Sequence, residues 1–538
     1  MTRDLGDFTV SKRVIPISLL AILIGILSTF VAFWLLKLIG FFTNLFYFGR
    51  LSTAMVSPDG NHLGAWAVLI PVGGALVIGL MARYGSERIR GHGIPEAIES
   101  ILMNGSRVEP RLAILKPVSS AISIGSGGPF GAEGPIIMTG GALGSMVAQL
   151  FHLTSAERKT LLVAGAAAGM AATFASPVAA ILLAVELLLF EWKPRSAIPV
   201  ALASVTAGAA RRYILGLGPL FPVPAHPIFI GPEGLLGCVI AGLLAGVLSG
   251  LLTMGVYAAE DAFHKIPIHW MWWPAIGGVV VGIGGLIFPQ ALGVGYDTIG
   301  SLLQGDVPRH IIAGILLVKS IIWIVSLGSG TSGGVLAPLL MMGGALGGVE
   351  AMFLPAEGAG FWPVVSMAAI LGGTMRSPFT AIIFAIELTH DINLMLPLTV
   401  AAFIAHGFTS LVLKRSILTE KVARRGYHLS REYAVDPLEI LMVRDVMRTN
   451  IVALPGESSL YPVACYPDEP LRVVVHRMAD SGRTRLPVIG DAEARKLVGM
   501  VSLEDLLKAR VRNLDEERRR ERVLRIRLPF KRTPASVG

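Results

Sequence analysis

Long apolar runs separated by short polar breaks occupy most of the chain. A run from Ile17 to Gly40 follows the basic residues Arg3, Lys12 and Arg13. It is too long for a signal-peptide core and lacks a small-residue cleavage pattern, so it predicts a retained membrane helix. Further runs occupy residues 64–82, 160–190, 198–210, 234–257, 270–288, 311–327, 361–387 and 394–413, and Gly, Ser and Pro interrupt the apolar residues of 115–150 and 328–354. Since a spanning helix needs about 20 apolar residues, several runs predict tilted or partial crossings.

Charged and polar positions dominate after Leu413. The pattern predicts a cytoplasmic N-terminus (1–14), a membrane domain (15–425), a small soluble domain (440–512) and a basic tail (513–538). The basic run Arg518, Arg519, Arg520 and Arg522, next to a membrane domain, indicates the cytoplasmic side rather than a nucleic-acid partner. Both termini are therefore expected in the cytoplasm.

Composition excludes a soluble enzyme. Hydrophobic residues make up 53% of the 538 positions and charged residues 15%, whereas a soluble domain has about 25% charged residues. The 62 glycines suit membrane helices, because small residues let their backbones approach closely. The two cysteines, Cys238 and Cys465, are too few for a disulfide framework or a thiolate metal cluster. We therefore expect neither enzymatic activity nor a metal.

The membrane domain contains an internal repeat. GPIIMTGGALG at 134–144 matches APLLMMGGALG at 337–347, an offset of 203 positions. A Ser-Pro pair followed by a glutamate recurs at an offset of 201, as Ser176-Pro177 with Glu186 and Ser377-Pro378 with Glu387. The alternative is a chance echo in Gly/Ala-rich sequence. The repeat predicts two halves, about 15–215 and 230–425, with a substrate site between them near the bilayer midplane. We interpret the two repeated glutamates as structural.

Three glycine-rich segments predict helix starts that are buried in the bilayer. They are Gly91-His92-Gly93-Ile94-Pro95, Gly131-Ala132-Glu133-Gly134-Pro135 and Gly333-Gly334-Val335-Leu336-Ala337-Pro338. The free N–H groups of a first helical turn carry partial positive charge and can bind an anion. Glu133 has no Lys or Arg within fifteen positions on either side. A lone carboxylate in a membrane is a functional candidate, and the structural alternative is an acid that caps the first turn.

These segments, in this order inside a membrane repeat, resemble the CLC family of chloride channels and chloride–proton exchangers. The family's usual forms are GSGIP, G(K/R)EGP and GxFxP, and the resemblance covers about residues 15–425. It implies an all-α polytopic membrane protein with an inverted-repeat CLC-type fold of tilted and broken helices. It also implies a homodimer in the plasma (inner) membrane, with one pathway for chloride or a similar small anion in each subunit.

The resemblance also assigns roles to residues. Glu133 would be the gating glutamate, whose carboxylate occupies the outer anion site as a tethered substitute anion. Backbone N–H groups of Ala132, Glu133 and Gly134 would line the outer site. The resemblance places the other anion-binding positions at His92, Gly93, Ile94, Val335, Leu336 and, near the family's central tyrosine, Lys414. Lys116, 17 residues before Glu133, matches a family lysine that adds positive potential without touching the ion.

Three residues of the predicted site depart from the family pattern. Ala132 stands in the position of a basic residue, so one outer charge is lost. Leu336 replaces a phenylalanine, which is a small change because the backbone binds the ion. His92 replaces the serine that coordinates the central anion. Its imidazole can donate a hydrogen bond and changes charge near neutral pH, and the structural alternative is a helix cap.

The family's inner proton-transfer glutamate would directly follow Glu186, where this chain has Leu187. A leucine cannot carry a proton, and channel members of the family have an apolar residue there. The sequence thus favours channel-like chloride transport, and the alternative is a chloride–proton antiporter in which water carries protons around the leucine. Remote alternatives are an intramembrane serine protease and a membrane sensor. Protease chemistry needs a helical histidine followed by glycine at a set spacing, which His406-Gly407 does not supply, and a sensor leaves Glu133 unexplained.

The soluble domain shows strand–turn–helix patterning around Leu486–Ile489 and Gly499–Leu506. This pattern resembles a CBS domain and implies a small α/β cytoplasmic domain. Ser502 and Asp505 match the positions that hold phosphate and ribose when such modules bind adenine nucleotides. The alternative is a structural dimer clamp without a ligand, and no other cofactor is expected.

Overall fold

The structure is a computed structural model. It describes residues 11–102, 105–305, 307–426, 438, 441–449, 463–490 and 497–518. Residues 1–10 of the predicted N-terminal segment and residues 519–538 of the predicted basic tail lie outside the described residues, as do 440, 450–462 and 491–496 of the predicted soluble domain.

The first half of the membrane domain is a series of helices of very unequal length. They are α1 (Val14–Phe48), α2 (Leu69–Tyr84), α3 (Ile94–Leu102), α4 (Leu112–Gly125), α5 (Glu133–Gln149), α6 (Ser155–Phe174), α7 (Pro177–Leu183, continued by a π-helical turn over Ala184–Leu189) and α8 (Pro194–Ile214). The short α3 and α5 follow glycine-rich loops. Together with α4 they cross only part of a bilayer, because a helix rises about 1.5 Å per residue.

The second half repeats this alternation of long and short helices. Its elements are α9 (Pro232–His264), α10 (Trp273–Ile287), α11 (Tyr296–Gln304), α12 (Arg309–Gly314, followed by a π-helical turn over Ile315–Lys319), α13 (Ser320–Gly328), α14 (Leu336–Glu350), α15 (Phe361–Met375), α16 (Pro378–Thr389), α17 (Met395–Val412) and α18 (Ile417–Arg424). In the first half α5 packs on α6, and at the matching positions of the second half α14 packs on α15.

Among the described residues, six helical segments are long and apolar enough to cross a membrane. They are Val14–Phe48, Gly64–Tyr84, Pro232–His264, Trp270–Ile287, Arg309–Gly328 and Ile392–Arg424. Large apolar side chains of α1 and α9, such as Trp34 and Leu251, are exposed and suit contact with lipid. Almost every residue of α5, α6, α14 and α15 is buried. The protein is therefore a multi-pass membrane protein whose core is built from the repeated helix pairs.

Two apolar runs that the hydrophobic pattern leaves continuous are broken in the structure. The run 160–190 divides into α6 and α7, and the run 361–387 divides into α15 and α16. At each break a residue with left-handed backbone, Ala175 (φ 58°) or Arg376 (φ 57°), ends the first helix. A Ser-Pro pair follows, and its proline begins the next helix, as is common for proline in a first turn.

The soluble domain has the predicted α/β character. Strands β1 (Arg485–Ile489) and β2 (Leu497–Ser502) pair antiparallel, with Leu486 opposite Val501 and Val488 opposite Gly499. Helices α19 (Leu471–Ser481) and α20 (Leu503–Arg518) pack against these strands. Buried side chains from both strands and both helices form its own core.

Candidate anion site

The loops before α3, α5 and α14 meet in the interior of the membrane domain. Gly131 and Gly334 exchange two backbone hydrogen bonds, with N···O distances of 3.2 and 2.9 Å. The Gly91 N–H donates to the Thr331 carbonyl (3.2 Å) and the Gly333 N–H donates to the Gly91 carbonyl (3.4 Å). The three predicted helix starts are thus joined by backbone pairing, and their first turns converge on one buried region.

This convergence depends on close backbone contact. A Cβ atom at Gly134 would lie 1.8 Å from the carbonyl oxygen of His92, so the first turn of α5 packs directly on the loop before α3. Helices α5 and α14 begin at Glu133 and Leu336. The predicted anion-binding positions Gly93, Ile94, Ala132, Gly134, Val335 and Leu336 are all buried here. First-turn N–H groups without helical acceptors therefore face a site shielded from water.

The Glu133 side chain is fully buried at this convergence. Its carboxylate lies near its own backbone N–H, the N–H of Ala337 in α14 and the hydroxyl of Tyr296. Within the described part of the chain, neither carboxylate oxygen has a partner in regular hydrogen-bond geometry, and the Tyr296 hydroxyl has none either. The carboxylate therefore lies among anion-binding groups without being fixed by any strong bond.

Two buried lysines lie on opposite sides of the site. The Lys116 amine donates to the carbonyls of Ile89 and Gly91, each at 2.7 Å. The Lys319 amine, 203 positions later, donates to the carbonyls of Ala291 and Gly293, each at 2.8 Å. Lys319 interacts electrostatically with Glu133. It supplies positive charge near the outer position, where Ala132 has removed a basic side chain.

His92 lines a cavity of about 640 Å³ on the α3 side of the site. We call this cavity the inner vestibule; its charged lining residues are the basic Arg88, Arg90, Lys421, Arg424 and Arg425 and the acidic Glu87, Glu99, Glu260 and Asp261. Among the described residues the His92 Nδ1 atom has no hydrogen-bond partner. Nearby, Glu96 accepts from the Gly93 N–H (2.9 Å) and pairs with Lys421 (2.8 Å). A histidine nitrogen is thus available between a basic cavity and the buried helix starts.

Leu187 is fully buried in the π-helical turn after α7. The preceding Glu186 does not replace it, because its carboxylate accepts hydrogen bonds from the backbone N–H (2.8 Å) and hydroxyl (2.5 Å) of Thr380 in α16. Its repeat partner Glu387 accepts from the N–H groups of Val178 and Ala179 in α7. Glu186, after α7, thus caps the start of α16, and Glu387, in α16, caps the start of α7. These reciprocal caps between the two halves agree with a structural role.

Lys414 does not lie with the other predicted anion-binding residues, which are buried. Its side chain is exposed in the turn between α17 and α18, and its backbone carbonyl accepts from Arg376. Helix α18 begins only after its N-cap residue Ser416. Lys414 therefore lies outside that helix, which the sequence spacing could not show. Two residues near Glu133, Lys319 and Tyr296, were missed, although extending the repeat offset from Lys116 would have found Lys319.

In the soluble domain, Ser502 and Asp505 are adjacent at the start of α20. The Asp505 carboxylate accepts from the backbone N–H (3.0 Å) and hydroxyl (2.6 Å) of Ser502 and pairs with Arg448 (2.8 Å). Burial raises the pKa of Asp505, but the bonds from Ser502 and Arg448 outweigh it, so the pKa lies below its ordinary value. Asp505 is therefore an ionised helix cap that already has a cationic partner.

The fold and the converging helix starts define a multi-pass membrane protein with a buried region that can bind an anion. Comparison with known proteins gives its family. Residues 73–410 match the family described as voltage gated chloride channel, and residues 443–512 match the CBS domain. The first match covers more than half of the chain, so the chain belongs to this CLC family. Its members are transporters or channels rather than enzymes, and the protein transports anions.

Curated relatives include both kinds of protein. The putative chloride channel protein ClcB-like of Ralstonia nicotianae is 29% identical over 370 residues, which cover 67% of this chain and 86% of the relative. The H(+)/Cl(-) exchange transporter ClcA of Vibrio campbellii is 31% identical over 367 residues, which cover 64% and 77%. The names of the relatives therefore agree on chloride but differ on proton exchange.

Solved structures confirm the CLC-type fold. A slow cyanobacterial Cl−/H+ antiporter superimposes with a TM-score of 0.66 at 21% identity and covers 78% of this chain and 99% of its own. A eukaryotic CLC transporter superimposes with a TM-score of 0.63 at 19% identity and covers 93% and 89%.

Proposed function

We propose that the protein conducts chloride, or a similar small anion, through a pathway within each subunit that Glu133 gates. The observation that carries this proposal is the buried Glu133 carboxylate, which lies among the helix starts of α5 and α14 without a regular hydrogen bond in the described residues. A carboxylate in that position occupies the outer anion site itself. An anion that displaces it, or a proton that neutralises it, opens the pathway.

The inner end of this pathway is the inner vestibule. Its five basic side chains outnumber its four acidic ones, so the lining has a net positive charge that attracts anions from the adjoining water. His92 lines the same cavity next to the helix starts. Lys116 and Lys319 keep the potential positive at the two sides of the site without contacting the ion. Together these groups support a continuous route from the inner vestibule, past His92, to the position of Glu133.

The proposed transport is channel-like, and the second candidate is chloride–proton exchange. Relatives named as exchangers favour the second candidate. Leu187 favours the first, because this buried apolar side chain cannot relay a proton and Glu186 is bonded to α16. A proton that crosses hydrocarbon surroundings without an ionisable partner meets a barrier of several kcal/mol.

We further propose a homodimer in the plasma (inner) membrane with both termini in the cytoplasm. The basic residues Lys12 and Arg13, directly before α1, support a cytoplasmic N-terminal segment. An adenine nucleotide at Ser502 and Asp505 stays a prediction. Its ribose would have to displace Arg448 from Asp505, so a ligand-free structural clamp is the simpler proposal.

The test of the gate is replacement of Glu133 in protein reconstituted into vesicles. Glu133→Gln and Glu133→Ala should raise the chloride efflux rate and remove its dependence on external pH, because the tethered anion is neutral or absent. Glu350→Gln is the matched control, since Glu350 is a buried carboxylate at the other end of α14 that is bonded to Ser366. Glu133 variants that keep the wild-type pH dependence would contradict the proposal.

A further inference from the structure

The Glu133 side chain folds back over its own loop and lies against Gly131. An ideal Cβ atom at Gly131 would be 1.8 Å from Oε2 and 2.4 Å from both Cδ and Oε1 of Glu133, and these are its three nearest atoms. Such distances are shorter than those that real Cβ atoms show. The carboxylate therefore occupies the volume that any other residue at position 131 would need for its side chain.

At Gly131 all three nearest atoms belong to the Glu133 carboxylate, whereas at Gly334 Oε2 of Glu133 comes second, at 2.8 Å, after a backbone carbonyl. A Cβ atom at Gly134 would meet the backbone carbonyl of His92 at 1.8 Å, and one at Gly334 would meet the carbonyl of Gly131 at 2.5 Å. Those two glycines are needed for the packing of the loops on each other. At Gly131 the nearest atoms belong to the end of a flexible side chain, which can move without disturbing the backbone.

The backbone at Gly131 can also accept an alanine. Its φ angle is not in the left-handed region, unlike that of Gly93 (φ 91°). Its N–H and carbonyl are paired with Gly334, and an alanine keeps both groups. The cost of a methyl group at position 131 therefore falls on the Glu133 carboxylate rather than on the loop.

The donors near the carboxylate, which are the N–H groups of Glu133 and Ala337 and the Tyr296 hydroxyl, attract it without fixing it. In the described residues neither of its oxygens has a regular hydrogen-bond partner. The Lys319 amine donates to the carbonyls of Ala291 and Gly293, so Lys319 attracts Glu133 through its charge rather than through a hydrogen bond. The carboxylate can therefore lie near these donors only because the space beside Gly131 is free of a side chain.

We propose that Gly131 is the positioning residue of the gate. The absence of a side chain at position 131 lets the Glu133 carboxylate occupy the outer anion site. A methyl group there excludes the carboxylate while Glu133 itself remains in the chain, and the pathway opens. This inference rests on the proposed function, because it matters for transport only where Glu133 closes the pathway.

The test compares chloride efflux from vesicles for the wild type, Gly131→Ala, Glu133→Ala and the double variant. Gly131→Ala should raise the efflux rate to the level of Glu133→Ala. The double variant should be no faster than either single variant, because both changes remove the same carboxylate from the same site. Gly250→Ala is the matched control, since a Cβ atom at Gly250 meets no atom within 4 Å, and it should leave efflux unchanged.

The outcomes separate this inference from the proposed function. Wild-type or slower efflux from Gly131→Ala, together with fast efflux from Glu133→Ala, would overturn the inference and leave the gate in place. Unchanged efflux from Glu133→Ala would overturn both. If Gly131→Ala folds poorly, the double variant decides, because removal of the Glu133 side chain relieves the clash and should restore the yield. A yield that stays low would show that the methyl group disturbs the loop, contrary to the inference.

Discussion

His92 is the residue whose chemistry departs furthest from the family pattern at the inner end of the pathway. It is buried, lines the inner vestibule and has an Nδ1 atom without a partner in the described residues. Its ring interacts electrostatically with the charged side chains of Glu96, Lys421 and Lys116. A ring nitrogen in this position can donate to a passing anion, and its larger ring narrows the route compared with a serine.

His92→Ser should therefore change the anion selectivity of the pathway. A hydroxyl is smaller than an imidazole, so the ratio of nitrate to chloride permeability should shift. Reversal potentials in mixed chloride and nitrate gradients measure this ratio. His264→Ser is the control, because His264 lines the same vestibule but its Nδ1 atom is bonded to the Glu260 carbonyl. Equal selectivity in all three proteins would leave His92 as a structural cap.

Residue types and spacing located part of the candidate site, because the chemistry is local there. Glu133 stood out as a lone acid at a helix start, and Lys116 lies at a fixed spacing before it. Tyr296 was not found, since it reaches Glu133 from another helix. Lys414 was aligned by spacing alone, and its exposure follows from the turn that precedes α18. Contacts between distant segments are set by packing, which one sequence does not reveal.

At the scale of elements, the two halves are joined by reciprocal helix caps. Glu186 bonds to the first turn of α16, and Glu387 bonds to the first turn of α7. Each cap satisfies N–H groups that a helix start leaves without helical acceptors. The Ser-Pro-to-Glu repeat is therefore explained by structure rather than by transport.

Glu387→Ala should destabilise the protein without changing its selectivity. Loss of the acceptor for the Val178 and Ala179 N–H groups should lower the free energy of unfolding by about 1–2 kcal/mol, the usual cost of removing a helix N-cap. Thermal unfolding in detergent measures the change. Glu109→Ala serves as the control, because Glu109 is exposed and its ion pair with Arg88 is long, at 3.9 Å. Equal melting temperatures for the wild type and both variants would contradict the capping role.

The hydrophobic pattern predicted the kind of elements better than their number or their ends. It indicated partial helices around 115–150 and 328–354, where the structure has α4, α5 and α14. It did not show the breaks at Ala175 and Arg376, because apolarity continues through both. Those breaks come from backbone conformation, and only the Ser-Pro pairs signalled them.

At the scale of the whole molecule, the repeat places similar groups on the two sides of one site. Lys116 and Lys319 bind equivalent loop carbonyls, and helices α5 and α14 begin at equivalent positions of the repeat. The two halves differ in the chemical groups that they contribute to this site. The first half contributes the Glu133 carboxylate and the second contributes the Ala337 N–H and the Tyr296 hydroxyl beside it, so the proposed anion pathway needs both halves.

Whether protons accompany the anion depends on the whole route from the inner vestibule to Glu133. The family's inner proton-transfer position is Leu187, which is buried and apolar. Glu186 is bonded to Thr380 in α16. We therefore expect anions to move down their own gradient without a coupled proton.

The most direct test imposes crossed chloride and pH gradients on vesicles that contain the wild-type protein. We predict that the reversal potential follows the chloride gradient alone and that a chloride gradient drives no uphill proton movement. A reversal potential that depends on both gradients, with protons driven uphill at a fixed ratio to chloride, would contradict the channel-like account and establish an exchanger.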